Sequence, residues 1–162
     1  MNLSKLLFYT LSIIVSALLL ASTTYGQAKK ISELKIRTDE DSLVSYLTDG
    51  EGRSLYIFLN DSTGQSTCFE ECSDAWPPAL LQKGELTVGK EIDSTMVGTI
   101  KRSEKTLKNP GEVTQLTYNG WPLYYYADDR RPGDKTGHDI KDYGAEWYLI
   151  TADGEKIAKE NP

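Results

Sequence analysis

The sequence predicts an all-β domain built of two tandem related halves, forming one small sandwich or barrel-like unit with at most one short helix. Three observations predict it. A short pattern occurs twice, as Leu55-Tyr56-Ile57-Phe58-Leu59-Asn60-Asp61 and as Leu123-Tyr124-Tyr125-Tyr126-Ala127-Asp128-Asp129, and both copies read Leu-Tyr-x-(aromatic)-x-x-Asp. A shift of 68 residues also pairs Gly52 with Gly120, and a shift of 71 pairs Trp76 with Trp147. The apolar residues alternate in short runs between turn signals, and no stretch of the exported part sustains the 3.6-residue period of a long helix. Tandem copies of one unit complete each other's core, because neither can bury its apolar face alone.

The chain opens with Lys5, a mostly apolar run from Leu6 to Ala21, and small or polar residues up to Ala28. That layout is a secretory signal, expected over residues 1–28, with Gly26-Gln27-Ala28 supplying the small residues of a cleavage site. The apolar run of about 16 residues is short against the roughly 20 needed to span a membrane. No membrane span is therefore expected after cleavage. A lipid anchor needs a Cys at the cut, and the first Cys is Cys68, so a free exported form is expected.

Residues 29–162 are expected to form a single β domain, with repeats over approximately 43–78 and 113–153. Lys29 to Asp41 alternates Leu34 and Ile36 with Lys35 and Arg37 and reads as an edge strand or leader. Leu43–Thr48 and Ser54–Leu59 form a hairpin about the turn Asp49-Gly50-Glu51-Gly52. In the returning strand Tyr56 and Phe58 share one face, and Leu55, Ile57 and Leu59 the other. Both faces are apolar, which places this strand inside a sandwich or barrel. Residues 69–75 allow one or two helical turns, ended at Trp76 by the prolines that follow. Leu80–Lys90 is weakly patterned, Met96–Lys101 resumes alternation, and the charged stretch Arg102–Glu112 reads as a break. Val113, Leu116 and Tyr118 then lead to Asn119-Gly120, the strongest hairpin signal in the chain. Trp121, Leu123 and Tyr125 share one face beyond it, Tyr124 and Tyr126 the other. A polar loop over Asp128–Asp142 precedes a last strand at Glu146–Thr151. Roughly seven to nine strands are expected from this spacing.

The double motif, with Tyr46-Leu47-Thr48-Asp49, Ser66-Thr67-Cys68, Cys72, Ala75-Trp76-Pro77-Pro78 and Leu116-Thr117-Tyr118-Asn119-Gly120 in order around it, resembles the exported bacterial lipoproteins described by a Tyr-x-(Phe/Trp/Tyr)-x-x-Asp repeat, a secreted repeat of unknown function. The resemblance covers roughly residues 43 to 153. It implies a small exported domain and leaves the activity open. The missing lipid-attachment Cys is a departure from many relatives.

The whole chain has 18 basic and 24 acidic residues. Without Lys5 the balance is 17 against 24, a net charge near -7. With no basic stripe, this excess repels phosphate backbones, so nucleic acid is not an expected partner. The two cysteines, spaced as Cys68-Phe69-Glu70-Glu71-Cys72, normally pair in an exported protein. The other reading is a redox-active pair or soft ligands for Cu(I), with Met96 and His138 as the weak further metal candidates; otherwise no cofactor is expected. His138 is the only histidine and lies in a polar loop, where a general base with Asp134 or Asp139 is conceivable, yet no nucleophile elbow, zinc-binding helix or phosphate loop accompanies it. Asp128, Asp129, Asp134, Asp139 and Asp142 invite calcium but fit no EF-hand spacing and are interleaved with Arg130, Arg131 and Lys135.

The motif ends, Asp61 and Asp129, read first as turn caps. The sharper reading sets Tyr56, Tyr124, Asp61 and Asp129 around a pseudo-twofold axis as a polar ligand site. Aromatic residues, including Phe58, Trp76, Trp121, Tyr126 and Trp147, could bind a ligand or partner, or form core pairs. The expectation is an exported protein, periplasmic, cell-surface or secreted, with a non-catalytic binding or structural role toward an envelope partner or small ligand. The alternative is a redox or copper-handling accessory using Cys68 and Cys72. A hydrolase comes third.

Overall fold

The computed structural model describes residues 30–42, 44–82, 84–104 and 111–158; the expected signal peptide and Met1 lie outside the described residues. The strands are β1 (Lys30–Ile31), β2 (Glu33–Thr38), β3 (Ser45–Asp49), β4 (Tyr56–Phe58), β5 (Leu80–Leu81), β6 (Thr87–Val88), β7 (Val97–Glu104), β8 (Gly111–Tyr118), β9 (Trp121–Pro122), β10 (Ile140–Asp142) and β11 (Ala145–Leu149). Among the described residues one short helix, α1, covers Glu71–Ala75, and a 3-10 turn covers Ser94–Met96. The all-β expectation holds, with more and shorter strands than the spacing suggested. Among the described residues they form three sheets and no closed barrel: β1-β5-β8-β7 with β9 beside β8, β10-β11-β4, and β3-β2-β6.

Two readings are corrected. The stretch from Lys29 contains β2, which is not an edge strand: it is hydrogen-bonded to β3 on one side and β6 on the other. Its Lys35 and Arg37 are charged because one face of that small sheet meets solvent, not because an edge is open. The stretch from Arg102 is not a break either, since β7 runs on to Glu104. Arg102 is buried there while its neighbours Lys101 and Ser103 are exposed, so the strand period continues through a charged residue.

The turns follow the local chemistry. Asn119 and Gly120 both adopt positive φ, 47° and 81°, as a tight two-residue hairpin turn requires, and they join β8 to β9. In the first turn Gly52 takes φ 81°, and the Asp49 carboxylate organises the loop by accepting from the N–H groups of Glu51 and Arg53 at 2.9 and 3.0 Å.

The two copies are interlocked. Tyr56 N–H donates to Tyr124 O at 2.9 Å and Tyr124 N–H to Tyr56 O at 3.0 Å, so the pseudo-twofold passes between these residues. Leu149, beyond Trp147, pairs with Tyr56, and Pro78, beyond Trp76, pairs with Tyr124. The pattern repeats one layer out, where Leu47 N–H donates to Ile150 O at 2.9 Å and Leu116 N–H to Ala79 O at 2.8 Å. The tyrosine strand of each copy thus pairs with the tryptophan tail of the other.

Alternation then divides the core in two. Leu55, Ile57, Leu123 and Tyr125 pack into one cluster with Leu34, Leu47, Leu116, Tyr118 and Ile150. Tyr56, Phe58 and Tyr124 pack into the other with Trp76, Trp147 and the two cysteines, and Tyr126 leans on its margin. Both face assignments read from the sequence are seen here.

Candidate functional site

The repeated motif lies at the pseudo-twofold. Tyr56 Oη donates to Asp129 Oδ2 at 2.6 Å, and Tyr124 Oη donates to Asp61 Oδ2 at 2.7 Å. The tyrosine of each copy therefore meets the aspartate of the other. The second oxygen of each carboxylate is also engaged: Asp61 Oδ1 accepts from the N–H and hydroxyl of Thr67 at 2.7 and 2.9 Å, and Asp129 Oδ1 from those of Thr136 at 3.0 and 2.7 Å. These threonines lie six and seven residues on, so each aspartate closes a wide loop. Both phenols are fully buried. Burial and the neighbouring carboxylate push both phenols far above the ordinary tyrosine range, which keeps them protonated and donating. Burial also raises the Asp61 carboxyl, against the hydrogen bonds from Tyr124 and Thr67 and the nearby Arg102 charge.

The aromatic residues follow the same symmetry. Trp76 and Trp147 stack face to face, centroids 3.8 Å apart and planes 4° apart. Phe58 stacks on Trp147 at 4.1 Å and Tyr126 on Trp76 at 4.3 Å, giving a four-ring pile in the order Phe58, Trp147, Trp76, Tyr126. Tyr56 and Tyr124 meet Trp76 and Trp147 edge-on. The indole N–H groups are bound by Asp142, through its carboxylate for Trp76 and its backbone oxygen for Trp147. Trp121 stands apart, packed against the other cluster.

Cys68 and Cys72 form a disulfide, their Cα atoms 5.2 Å apart. Cys68 is fully buried and Cys72 nearly so. The bridge closes a loop whose middle residues, Phe69 and Glu70, face outward, and Glu70 takes φ 54° there. Arg102 of β7 holds this loop from beneath: its Nη1 donates to Ser66 Oγ at 3.2 Å and Gln115 Oε1 at 2.8 Å, its Nη2 to Cys68 O, and its guanidinium lies 4.5 Å from the Phe69 ring centroid. Sequence reasoning missed Arg102, whose only signal was its place two residues beyond Ile100, in the same phase of an alternating run.

Between this loop and β7 lies a groove of about 450 Å³, bounded by Gly64 to Ser66, Phe69 and Glu70 on one side and Ile100 to Ser103 on the other. A second depression of about 320 Å³, lined by Phe69, Glu70, Glu71, Cys72 and Tyr143 among others, borders the same loop. Phe69 and Tyr143 are the large apolar side chains exposed among the described residues, at 39% and 44%.

The remaining candidates are spent locally. His138 lies edge-on to Tyr148, and its Nδ1 accepts from Leu149 N–H at 3.3 Å. Asp134 accepts from the N–H groups of Arg130 and Arg131, and Asp128 pairs with Arg130 at 3.2 Å. Met96 packs against the cluster that holds Leu55 and Leu123. Among the described residues no group of three or more His, Cys, Asp and Glu side chains is placed to hold a metal ion, and no helix is long and apolar enough to cross a membrane.

Fold and site together define a domain of two tandem β repeats whose shared motif is the seam between them. The profile of the lipoprotein family described as a secreted repeat of unknown function matches residues 38–80 and 108–151, one match per copy, and the chain belongs to that family. It is an exported protein of this repeat class. No curated protein and no solved structure matches the chain.

Proposed function

We propose that this exported protein is a non-catalytic binding module of the cell envelope, in which the repeated motif is scaffold and the working surface is the groove beside the disulfide loop. One observation carries the reading: the motif's phenols and carboxylates are turned inward and bonded to one another, while the groove is open and walled by an exposed Phe69. Exposed apolar side chains beside a concave, polar-rimmed surface are what recognition of a partner requires. The acidic balance points that recognition toward a protein or small ligand and away from nucleic acid. Cleavage of the leader without lipid attachment would leave the domain free in the periplasm, at the cell surface or outside the cell.

A redox or copper-handling role is the second reading, because Cys72 lines the depression next to Phe69. It requires the bridge to open, since a cysteine ligates Cu(I) as the thiolate and not as half of a disulfide. The mass and free-thiol count of the exported protein, with and without Cu(I), before and after mild reduction, separates the two. A bridge that resists mild reductant in a protein that retains no copper is the expected result. Thiols that open readily and hold copper would move the function to Cys68 and Cys72.

A further inference from the structure

We propose that the groove takes an extended polypeptide segment from another protein, added as a strand to the free edge of β7. This rests on the binding-module reading above and names its partner. Among the described residues β7 pairs with β8 alone, so its other edge carries no strand.

The phase of that edge is fixed by β8. Leu116 stands opposite Thr99, and it directs its N–H to Ala79 O and its C=O to the N–H of Leu123, both away from β7. Thr99 and Leu116 are therefore a non-hydrogen-bonded pair. Antiparallel pairing alternates, so Lys101 and Ser103 are non-bonded pairs as well, and their N–H and C=O groups point outward from the sheet. No hydrogen bond within the described residues reaches those groups.

The groove follows this edge. Successive side chains of a strand point to opposite faces, so a groove bordered by four consecutive residues, Ile100 to Ser103, runs along the strand's side and not over either face. The outward N–H and C=O groups of Lys101 and Ser103 open into it. Its far wall is held in place before any ligand arrives: the disulfide closes the loop carrying Phe69, and Arg102 ties Ser66 and Cys68 O back to the edge strand. A wall already ordered lowers the entropic cost of binding.

That wall also selects the occupant. A second copy of this chain would bring its own β7 flanked by its own loop, so pairing the two edges would have to accommodate a wall from each copy. A single extended segment, such as a terminus or linker, has no such flank. Main-chain groups of the segment would bond to Lys101 and Ser103, and alternate side chains would fall on the side of Phe69 and Ile100, which favours an apolar residue there.

The test selects short random peptides on the exported protein, then titrates a selected peptide and two versions of it N-methylated at alternate residues. An added strand uses every second peptide N–H, so methylation in one phase should weaken binding by about tenfold per bond lost, and methylation in the other phase should leave it unchanged. Lys101→Pro removes one outward donor without touching the β8 ladder and should weaken the unmethylated peptide to a similar degree. If both methylated peptides bind alike, or Lys101→Pro has no effect, while Phe69→Ala still abolishes binding, strand addition is wrong and the binding module stands. If no peptide is selected, or none is sensitive to Phe69→Ala, both readings fail. Peptide-independent dimerisation lost in Lys101→Pro would assign the edge to a second copy and overturn the proposal.

Discussion

Replacing Tyr124 by Phe deletes a single oxygen from the centre of the fold and leaves its ring packing in place. That oxygen donates to Asp61 at 2.7 Å and lies 2.7 Å from Ser66 Oγ, with both partners buried. A hydrogen bond to a charged group contributes about 1.5–3 kcal/mol, and a buried acceptor left unpaired adds to the loss, so Tyr124→Phe should cost about 2–3 kcal/mol. In urea, with a slope of about 2 kcal/mol/M, the unfolding midpoint should fall by about 1–1.5 M with the slope unchanged. Tyr56→Phe is the symmetric change with a smaller expected cost, about 1.5 kcal/mol, because Asp129 is only half buried and can recruit water. A cycle through Tyr124→Phe, Asp61→Asn and the double variant should give a coupling of at least about 1 kcal/mol. Should Tyr124→Phe cost less than about 0.5 kcal/mol, or Tyr56→Phe cost more, the crossed tyrosine–aspartate pairs do not hold the copies together as argued.

Three further outcomes are expected. A Cβ at Gly137 would sit 2.7 Å from Trp76 Cη2, and Trp76 is clamped between Trp147 and Tyr126, so Gly137→Ala should cost about 1–3 kcal/mol and alter the near-UV circular dichroism; an unchanged spectrum and midpoint would mean the pile can slide. Loss of the Cys68–Cys72 bridge in a double Ser variant should cost about 2 kcal/mol, the chain-entropy value for so short a loop, and should speed amide exchange at residues 64–70 ahead of the rest; uniform acceleration would show that the bridge supports the whole domain. Burial raises the Asp61 carboxyl above 3.8, so the folded state holds that proton more tightly than the unfolded chain. Its share of stability is present at low pH and declines as pH rises from about 3.8 through the raised value. Asp39 and Asp134, whose carboxyls are held low by hydrogen bonds, slope the other way, so the informative quantity is the difference between wild type and Asp61→Asn across that range; a flat difference contradicts the assignment.

What the sequence made legible was short-range. Alternation at Leu55–Leu59 and Trp121–Tyr126 sorted ten residues correctly between two clusters, because a strand's geometry fixes sidedness without reference to its neighbours. Asn119-Gly120 marked its turn because few other pairs tolerate two positive φ values. What escaped was whatever depended on a partner from elsewhere. Arg102 looked like the start of a loop, since the Ser66, Gln115 and Cys68 oxygens that satisfy its guanidinium are distant in sequence. Asp61 and Asp129 read first as local caps, and the second reading gathered them with Tyr56 and Tyr124 about a pseudo-twofold; the crossing of partners, each aspartate with the tyrosine of the other copy, depended on the distant half. The strands β5 and β6, two residues each, carry too few side chains for any period to show.

The exchange of tails between copies has a consequence for the unit taken singly. One repeat has a tyrosine strand with no tail to pair with and a tail with no strand, but two identical repeats on separate chains would offer each other both. An interior pseudo-twofold of this kind has the geometry of an isologous dimer whose subunits have become one polypeptide. The connecting segment then serves mainly to raise the effective concentration of one half near the other. Halves expressed apart should reassemble when mixed, and a substitution at the seam of one half should be compensated only by its mate.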